Sequence, residues 1–327
     1  MEQPDAPLYF LAPARYRNTA LRSAGPPPAA LLHLPYARQE LLQWGTGNFV
    51  YQQFYAGSDF AIALIDIEVA AYTLLELQCT RPFNGLQYTL EGYAFALLAG
   101  YGNLRLFKDT YTLQYVPEGR HRLLLPKGAY CFFYADPGRL LANLVQEHPP
   151  VQQLIGMEAA MEPKGRLATR LPVIEPVRQL INGFAQLPAC NGNTALLIAT
   201  RINALTRYYH QQAKQPVAAL PTPELLSEFI ADHLQLPESQ FFSKLRQTWF
   251  ISPSTLERLW HRRHPASFRS TASRLRMLLG LYLLVVEKYH VCKAADLLGY
   301  LNPSDFSRQF KKHLGFAPSK ALSHVCI

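Results

Sequence analysis

Features that mark secreted, membrane and disulfide-rich proteins are scarce in this chain. Its five cysteines are widely spaced and form no CxxC pair, which favours reduced thiols over a disulfide framework. The N-terminus lacks a basic stretch followed by an apolar one, so no signal peptide is expected. The longest strongly apolar run, residues 278–286, is too short to cross a bilayer. These absences predict a cytoplasmic protein without a membrane partner.

Motifs for catalysis and metal binding are also missing. The sequence contains no P-loop, no GxSxG and no Ser/His/Asp spacing. The first 220 residues contain four histidines: His33, His121, His148 and His210. None forms the His-x-His pair that a metal-dependent barrel enzyme brings. His261 and His264 are three residues apart but have no Cys or carboxylate ligand beside them. We therefore predict no catalytic residues, no metal site and no cofactor.

The positive charge of the chain is concentrated near its C-terminus. With 327 residues the chain can hold two domains, each with its own core. The net charge is +9, and residues 244–320 contain 14 Lys and Arg against 4 Asp and Glu. Such an excess favours binding to the DNA phosphate backbone through counterion release. Nucleic acid is the partner that this distribution predicts.

Short strands separated by turns are predicted from residue 48 to residue 136. Residues 86–91 alternate strictly between apolar and polar side chains, which is the period of a half-buried strand. The predicted strands are Phe49–Tyr55, Phe60–Val69, Tyr72–Cys79, Leu86–Glu91, Asn103–Phe107, Thr112–Val116, His121–Leu125 and Tyr130–Tyr134. Regular turn signals between them favour a barrel or sandwich over βαβ units. Residues 1–45 are Pro-rich, and we predict irregular structure there.

Aromatic residues are abundant in this strand-rich region. They are Tyr88, Tyr93, Phe95, Tyr101, Tyr115, Phe132 and Tyr134. They line a ligand cavity or form plain barrel core and surface. The core interpretation is favoured because the sequence offers no polar anchor for a ligand.

After Pro137 the pattern changes to helix. A short helix over 140–147 is predicted to end at Pro149-Pro150, and two further helices are predicted at 173–187 and 193–212. The last helix carries an apolar stripe at helical spacing: Ile198, Ile202, Leu205 and Tyr209. This stripe is our candidate interface for a homodimer, and packing against the barrel or against helix 173–187 is the alternative. Residues 214–223 contain three prolines and are predicted to be the interdomain linker.

Residues 291–322 have the signals of a helix-turn-helix unit. An amphipathic run over 291–298 is broken by Gly299, where a turn tolerates positive φ. Asn302 offers an N-cap and Pro303 occupies the first helical position. Phe306 and Phe310 lie one turn apart on the side predicted to be buried.

This segment strongly resembles the second half of the DNA-binding domain of the AraC/XylS family. Nine residues match the family pattern in register: Ala295, Gly299, Tyr300, Phe306, Phe310, Lys311, Lys312, Gly315 and Pro318. The resemblance covers about 240–322. It implies two helix-turn-helix units joined by one long helix, an N-terminal cupin-like β-barrel for sensing, a dimerising helical segment and a role in transcription activation. The predicted fold class is therefore α+β and multidomain, with an all-α double helix-turn-helix domain at the C-terminus.

The resemblance places the first helix-turn-helix unit at about 239–268, with Ser252 as the N-cap of its recognition helix. The connecting helix is predicted to run over 269–288, where Arg276 matches the family's arginine. Three residues depart from the family pattern. Arg246 and Gly280 stand where the family has alanine, and Pro265 replaces a glycine.

The predicted DNA-binding residues lie on the two recognition helices. They are Ser254, Glu257, Arg258, Arg262, Ser304, Arg308, Lys311 and Lys312. Arg258 and Arg308 are candidates for guanine contacts, with phosphate contact as the alternative. Glu257 accepts from cytosine or pairs with a neighbouring arginine. Arg262, Lys311 and Lys312, like Arg263, are predicted to contact phosphates.

Taken together, the sequence predicts a sequence-specific transcription regulator, an activator, and not an enzyme. Its domains are a barrel over 1–150, a helical segment over 151–215, a linker over 216–223 and the DNA-binding domain over 224–327. The expected partners are double-stranded DNA, a second copy of the chain, RNA polymerase and a small-molecule effector. Two alternatives stay open: a cupin-type barrel enzyme fused to a helical domain, and a degenerate helix-turn-helix protein that binds a protein partner.

Overall fold

A computed structural model describes residues 8–23, 25–27, 32–138, 141, 149–189, 193–214 and 221–327. The chain divides into two compact units. The N-terminal unit comprises Met1–Ala70, Leu74–Gln215 and Ile327, and the C-terminal unit comprises Ala71–Thr73 and Pro216–Cys326. Strands dominate the first unit and helices the second, so the fold is the predicted α+β type. Among the described residues, no helix is long and apolar enough to cross a membrane.

The N-terminal unit is built on antiparallel strands. Their bounds are β1 (Leu8–Leu11), β2 (Leu21–Ser23), β3 (Arg38–Trp44), β4 (Asn48–Ala56), β5 (Ala61–Val69), β6 (Thr73–Cys79), β7 (Phe83–Glu91), β8 (Tyr93–Leu98), β9 (Gly102–Phe107), β10 (Thr110–Val116), β11 (Gly119–Leu125), β12 (Gly128–Asp136) and β13 (Arg166–Pro172). They form a five-stranded sheet in the order β1-β6-β11-β8-β9 and an eight-stranded sheet in the order β13-β10-β7-β12-β5-β4-β3-β2.

The two sheets pack face to face as a cupin-like sandwich. Trp44, Ile65 and Phe132 of the larger sheet share one buried cluster with Leu104 and Leu123 of the smaller sheet. The strand pairing leaves both sheets open, so the predicted barrel is present without closure. Burial of these side chains is the main stabilising term for this layer.

The second face of the larger sheet is covered by three helices. They are α1 (Pro149–Ala159), α2 (Glu175–Phe184) and α3 (Thr194–Ala213). Tyr88 and Tyr111 stack with ring centroids 4.6 Å apart, and Tyr209 of α3 meets Tyr111 edge-on at 5.9 Å. Strand β5 is buried on both faces, which explains its nearly continuous apolar sequence.

The predicted dimer stripe lies inside this helix–sheet layer, so that prediction is wrong. Ile198, Ile202, Leu205 and Tyr209 are each 0% exposed and belong to the cluster formed with the larger sheet and α2. The Tyr209 hydroxyl donates to the Thr169 carbonyl at 3.1 Å. An apolar stripe at helical spacing only indicates which side of a helix is buried; it does not say what covers that side.

Other N-terminal predictions also need correction. The described parts of residues 1–45 contain β1, β2 and β3 where irregular structure was expected, because pairing with neighbouring strands orders these segments. The predicted helix over 140–147 lies outside the described residues, apart from Leu141. Pro149 begins α1 instead of ending a helix, since proline suits the first helical turn. Strands β8 and β13 were not predicted.

The interior of the sandwich is filled. The cavity between the sheets beside Phe10 and Phe132 has a volume of about 40 Å³, which is too small for an organic ligand. The aromatic side chains of this region are mostly buried, and Tyr101 is 45% exposed. The core interpretation of these residues fits their burial.

The C-terminal unit is helical. Its helices are α4 (Pro223–His233), α5 (Glu238–Trp249), α6 (Pro253–Trp260), α7 (Phe268–Val285), α8 (Val291–Leu297), α9 (Pro303–Leu314) and α10 (Ala321–His324). Thr222 caps α4 by accepting from the Leu225 backbone N–H. The predicted linker therefore ends before Thr222, and its residues 216–220 lie outside the described part of the chain.

Candidate nucleic-acid interface

Helices α5 and α6 form the first helix-turn-helix unit. The turn passes through Phe250, which adopts a left-handed conformation (φ 52°) and is 89% exposed. Ser252 Oγ then accepts from the Thr255 backbone N–H at 3.1 Å, which confirms the predicted N-cap. Leu256, Leu259 and Trp260 are the buried residues of α6. The recognition helix is thus held by its cap at one end and by its apolar side along its length.

The departures from the family pattern do not prevent this unit from forming. Arg246 and Pro265 are both exposed, so neither enters the helix–helix contact. The turn after α6 is closed by Trp260, whose Nε1 donates to the Ala266 carbonyl at 3.0 Å. The Trp260 ring also stacks on His264 with centroids 3.6 Å apart. These contacts replace the glycine that the family uses at this place.

Helices α8 and α9 form the second unit with the predicted signals in place. Gly299 has φ of 73° at the turn, and an added Cβ would lie 2.4 Å from Pro237 Cγ. Asn302 Oδ1 accepts from the Ser304 backbone N–H at 2.9 Å, which confirms the N-cap. Phe306 and Phe310 are 0% exposed with ring centroids 5.5 Å apart. Gly315 ends α9 in the left-handed conformation.

Helix α7 connects the two units and contacts both recognition helices. It is 18 residues long, which corresponds to about 27 Å at the rise of an α-helix. The helix predicted over 269–288 extends beyond the observed end of α7 at Val285. Lys288 has a positive φ, which an α-helix does not allow. Packing explains why glycine occupies position 280, because a Cβ there would lie 3.0 Å from the Phe306 ring. The glycine lets α9 approach α7 closely.

The buried Arg276 joins the end of α4 to the turn of the second helix-turn-helix unit. The Arg276 side chain is buried within the C-terminal unit. Its Nε donates to the carbonyl of Leu234, the residue that follows α4, at 3.2 Å. It also hydrogen-bonds to Tyr300 at the turn of the second unit. Burial lowers the pKa of Arg276 from its ordinary value, and Tyr300 and Glu238 oppose that shift. Arg276 therefore positions the second turn relative to α4.

Most of the predicted DNA-binding residues lie on the exposed sides of α6 and α9. The exposed members are Ser254, Arg258, Arg262, Ser304, Arg308, Lys311 and Lys312. Arg308 forms an ion pair with Asp305 at 2.7 Å, with side chains 74% and 51% exposed. A pair this exposed contributes little to stability, so the guanidinium is available to another acceptor at small cost.

Glu257 and Arg263 are engaged within the protein. Glu257 Oε2 accepts from the Phe268 backbone N–H at 2.9 Å, at the first turn of α7. Arg263 Nε lies 2.9 Å from Oε1 of the buried Glu224. The sequence did not predict either contact, because Phe268 lies 11 residues after Glu257 and Glu224 lies on α4, far from Arg263 in the sequence.

Replacing Glu257 tests its capping role. We expect Glu257→Ala to lower the free energy of unfolding by about 1 kcal/mol, because the first turn of α7 loses an acceptor at its positive end. Thermal unfolding of the full chain measures this. Asp296→Ala, which removes an exposed carboxylate from α8 in the same unit, is the control. If Glu257→Ala leaves stability unchanged but alters sequence preference for DNA, Glu257 is a base-reading residue.

Comparison with known proteins follows this geometry. Residues 247–324 match the model of a protein family described as a helix-turn-helix domain. Residues 247–324 therefore form a helix-turn-helix domain of the AraC type. The AraC-type segment runs from the end of α5 through α10 and includes both recognition helices. It makes the protein a DNA-binding transcription regulator. No curated protein matches the chain.

Several solved structures are similar to the chain. The AraC-like transcriptional activator CuxR has a TM-score of 0.35 and 11% identity, over 80% of this chain and 94% of CuxR. ToxT from Vibrio cholerae has a TM-score of 0.29 and 12% identity, over 82% of this chain and 99% of ToxT. Wild-type ToxT with bound unsaturated fatty acid has a TM-score of 0.29 and 11% identity, over 83% and 97%. These scores are low, so the assignment rests on the family model and on the helix geometry above.

Proposed function

We propose that this protein is a sequence-specific transcription regulator, an activator, that reads two adjacent major-groove segments with α6 and α9. The observation that carries the proposal is the pair of capped recognition helices joined by α7. The length of α7, about 27 Å, is close to one turn of B-DNA at about 34 Å. Binding selections from randomised duplexes test this directly. Two conserved half-sites about 10 base pairs apart are expected, and a single half-site contradicts use of both helices.

Residue roles follow from exposure and charge. Arg258 and Arg308 are proposed to contact guanine edges, where a planar guanidinium reads O6 and N7 together. Arg262, Lys311 and Lys312 are proposed to contact phosphates, and Ser254 and Ser304 lie at the N-terminal ends of the recognition helices, where short side chains reach the groove. Glu257 is proposed to orient α7 against α6.

Two substitutions on α9 separate base reading from phosphate contact. Arg308→Ala is expected to cost about 1–3 kcal/mol of binding free energy and to relax sequence preference at one position. Lys312→Ala removes the same charge from the same helix, yet it should weaken all sequences alike and reduce the salt slope by about one. Quantitative binding to a selected site and its single-base variants measures both. Equal weakening of every sequence by Arg308→Ala would show that Arg308 is a phosphate contact.

The proposal also includes further partners. A homodimer would use the outward side of α3, where Leu196 and Leu197 are 66% and 39% exposed. An activator must also contact RNA polymerase, and a small-molecule effector and cytoplasmic location are proposed from the type of protein. Within the part of the chain that the structure describes, no three His, Cys, Asp or Glu side chains gather as a metal site. No observation favours the barrel enzyme.

A further inference from the structure

An acidic cleft opens on the N-terminal unit, away from its filled interior. It has a volume of about 510 Å³, within the range of small-molecule sites. Its walls are the turn between β4 and β5, the turn between β6 and β7, the end of β12, and helix α1. Phe60 provides an apolar wall.

The charges that face the cleft are mostly negative. Asp59 comes from the β4–β5 turn, Asp136 from the end of β12 and Glu158 from α1, while Arg81 is the one cation among the described lining residues. Among the described lining residues, three carboxylates against one guanidinium leave an excess of negative charge in a concave site. Concave walls of low polarizability strengthen the attraction of such a site for cations.

Asn84 adds a buried acceptor to the cleft. Its side chain is 1% exposed, and Nδ2 donates both to the Leu154 carbonyl at 3.2 Å and to Glu158. These two bonds determine which way the amide points. Oδ1 is left buried without a hydrogen-bond partner among the described residues. An acceptor in that state costs free energy that a ligand N–H would recover.

The two carboxylates beside Asn84 are in an environment that disfavours their charge. Burial raises the pKa of Asp136 to about 6, Glu158 adds to the shift, and the Gly138 backbone N–H and Arg81 oppose it. Burial also raises the pKa of Glu158, against hydrogen bonding from Asn84 and the charge of Arg81. A bound cation would relieve this penalty, since it pairs with both carboxylates.

We propose that this cleft binds a small organic cation, whose ammonium or guanidinium group pairs with Asp136 and Glu158 and donates to Asn84 Oδ1. The apolar part of the ligand lies against Phe60. The inference goes beyond the proposed function and does not rest on it, because its carboxylates, amide and aromatic wall all belong to the N-terminal unit.

Isothermal titration of the full chain with phenethylamine and agmatine tests the proposal. Both cations are expected to bind saturably, whereas phenylacetate and 2-phenylethanol, which match phenethylamine in shape without its charge, are not. Asp136→Asn should weaken binding by about tenfold or more, because a charge-assisted hydrogen bond is lost. Arg81→Gln should strengthen binding, since it removes the competing cation.

Glu68→Gln is the matched control. Glu68 is an exposed carboxylate of β5 in the same unit, so its loss changes net charge equally and should leave binding unchanged. Thermal unfolding shows whether the Asp136→Asn variant is folded, and the variant should be no less stable than the parent at neutral pH.

Binding of the cations should also weaken as the pH falls through about 6, because Asp136 becomes protonated and loses its charge. The other charged groups that face the same cleft are Asp59, Arg81 and Glu158. Absence of binding by both cations at millimolar concentration, equal binding of phenylacetate, or equal weakening by Glu68→Gln each overturns the proposal.

Discussion

Raising the salt concentration from about 50 to about 200 mM is expected to lower the affinity for duplex DNA by roughly 40-fold. The exposed cationic residues of α6, of the turn after it and of α9 are Arg258, Arg262, Arg308, Lys311 and Lys312. Three of them, Arg262, Lys311 and Lys312, are proposed to contact phosphates. The counterions that they release give a slope of log K against log salt of about −2.7. Each phosphate contact contributes nearly one unit to this slope.

Fluorescence anisotropy with a labelled duplex at several salt concentrations measures the slope. Lys293→Ala, on α8 and not on a recognition helix, is the control for a general change in charge. A slope near zero would contradict DNA binding through these residues. It would favour the alternative in which the helix-turn-helix units bind a protein partner.

Ile202→Glu is expected to unfold the N-terminal unit. The Ile202 side chain is 0% exposed and packs between α3 and the larger sheet. Placing a carboxylate there buries a charge without a partner and removes an apolar side chain, at a cost of more than about 4 kcal/mol. Ordinary domains are stable by only about 5–15 kcal/mol in total, so this cost removes a large part of the stability of the unit. Loss of the cooperative thermal transition of this unit, followed by circular dichroism, is the expected result.

Leu196→Glu provides the contrast on the same helix. Its side chain is 66% exposed, so the variant should stay folded. If α3 forms the homodimer through its outward side, Leu196→Glu should shift the protein toward monomer in sedimentation experiments. A folded monomer obtained from Ile202→Glu would instead show that the buried stripe leaves the core to form the dimer.

Local signals in the sequence were sufficient for the recognition helices. Ser252 and Asn302 accept from backbone N–H groups within three residues, and Gly299 and Gly315 need only their own positive φ. Such interactions are complete within one turn of chain, so residue type and spacing predict them. The second helix-turn-helix unit therefore has the predicted N-cap at Asn302 and the predicted helix end at Gly315.

Contacts between distant residues escaped the same reasoning. Glu257 caps a helix that begins 11 residues later, and Arg263 pairs with Glu224 on α4. Strands β1 and β3 are ordered by pairing with β6 and β4 rather than by a strong pattern of their own. A sequence pattern shows which chemical groups a residue carries, but it does not show which distant residue those groups contact.

Residue types and their spacing are enough to predict that α6 and α9 are capped helices with a cationic outer side, and that α3 has one apolar side. Periodicity and capping are local properties, and they are encoded within a few turns of chain. That the larger sheet, and not a second copy, covers the apolar side of α3 depends on how the helix packs in the folded unit. Tertiary packing also brings Asp136, Glu158 and Asn84 into one cleft. These outcomes depend on long-range packing, in which the partner of a buried side or a buried carboxylate is chosen by the fold as a whole.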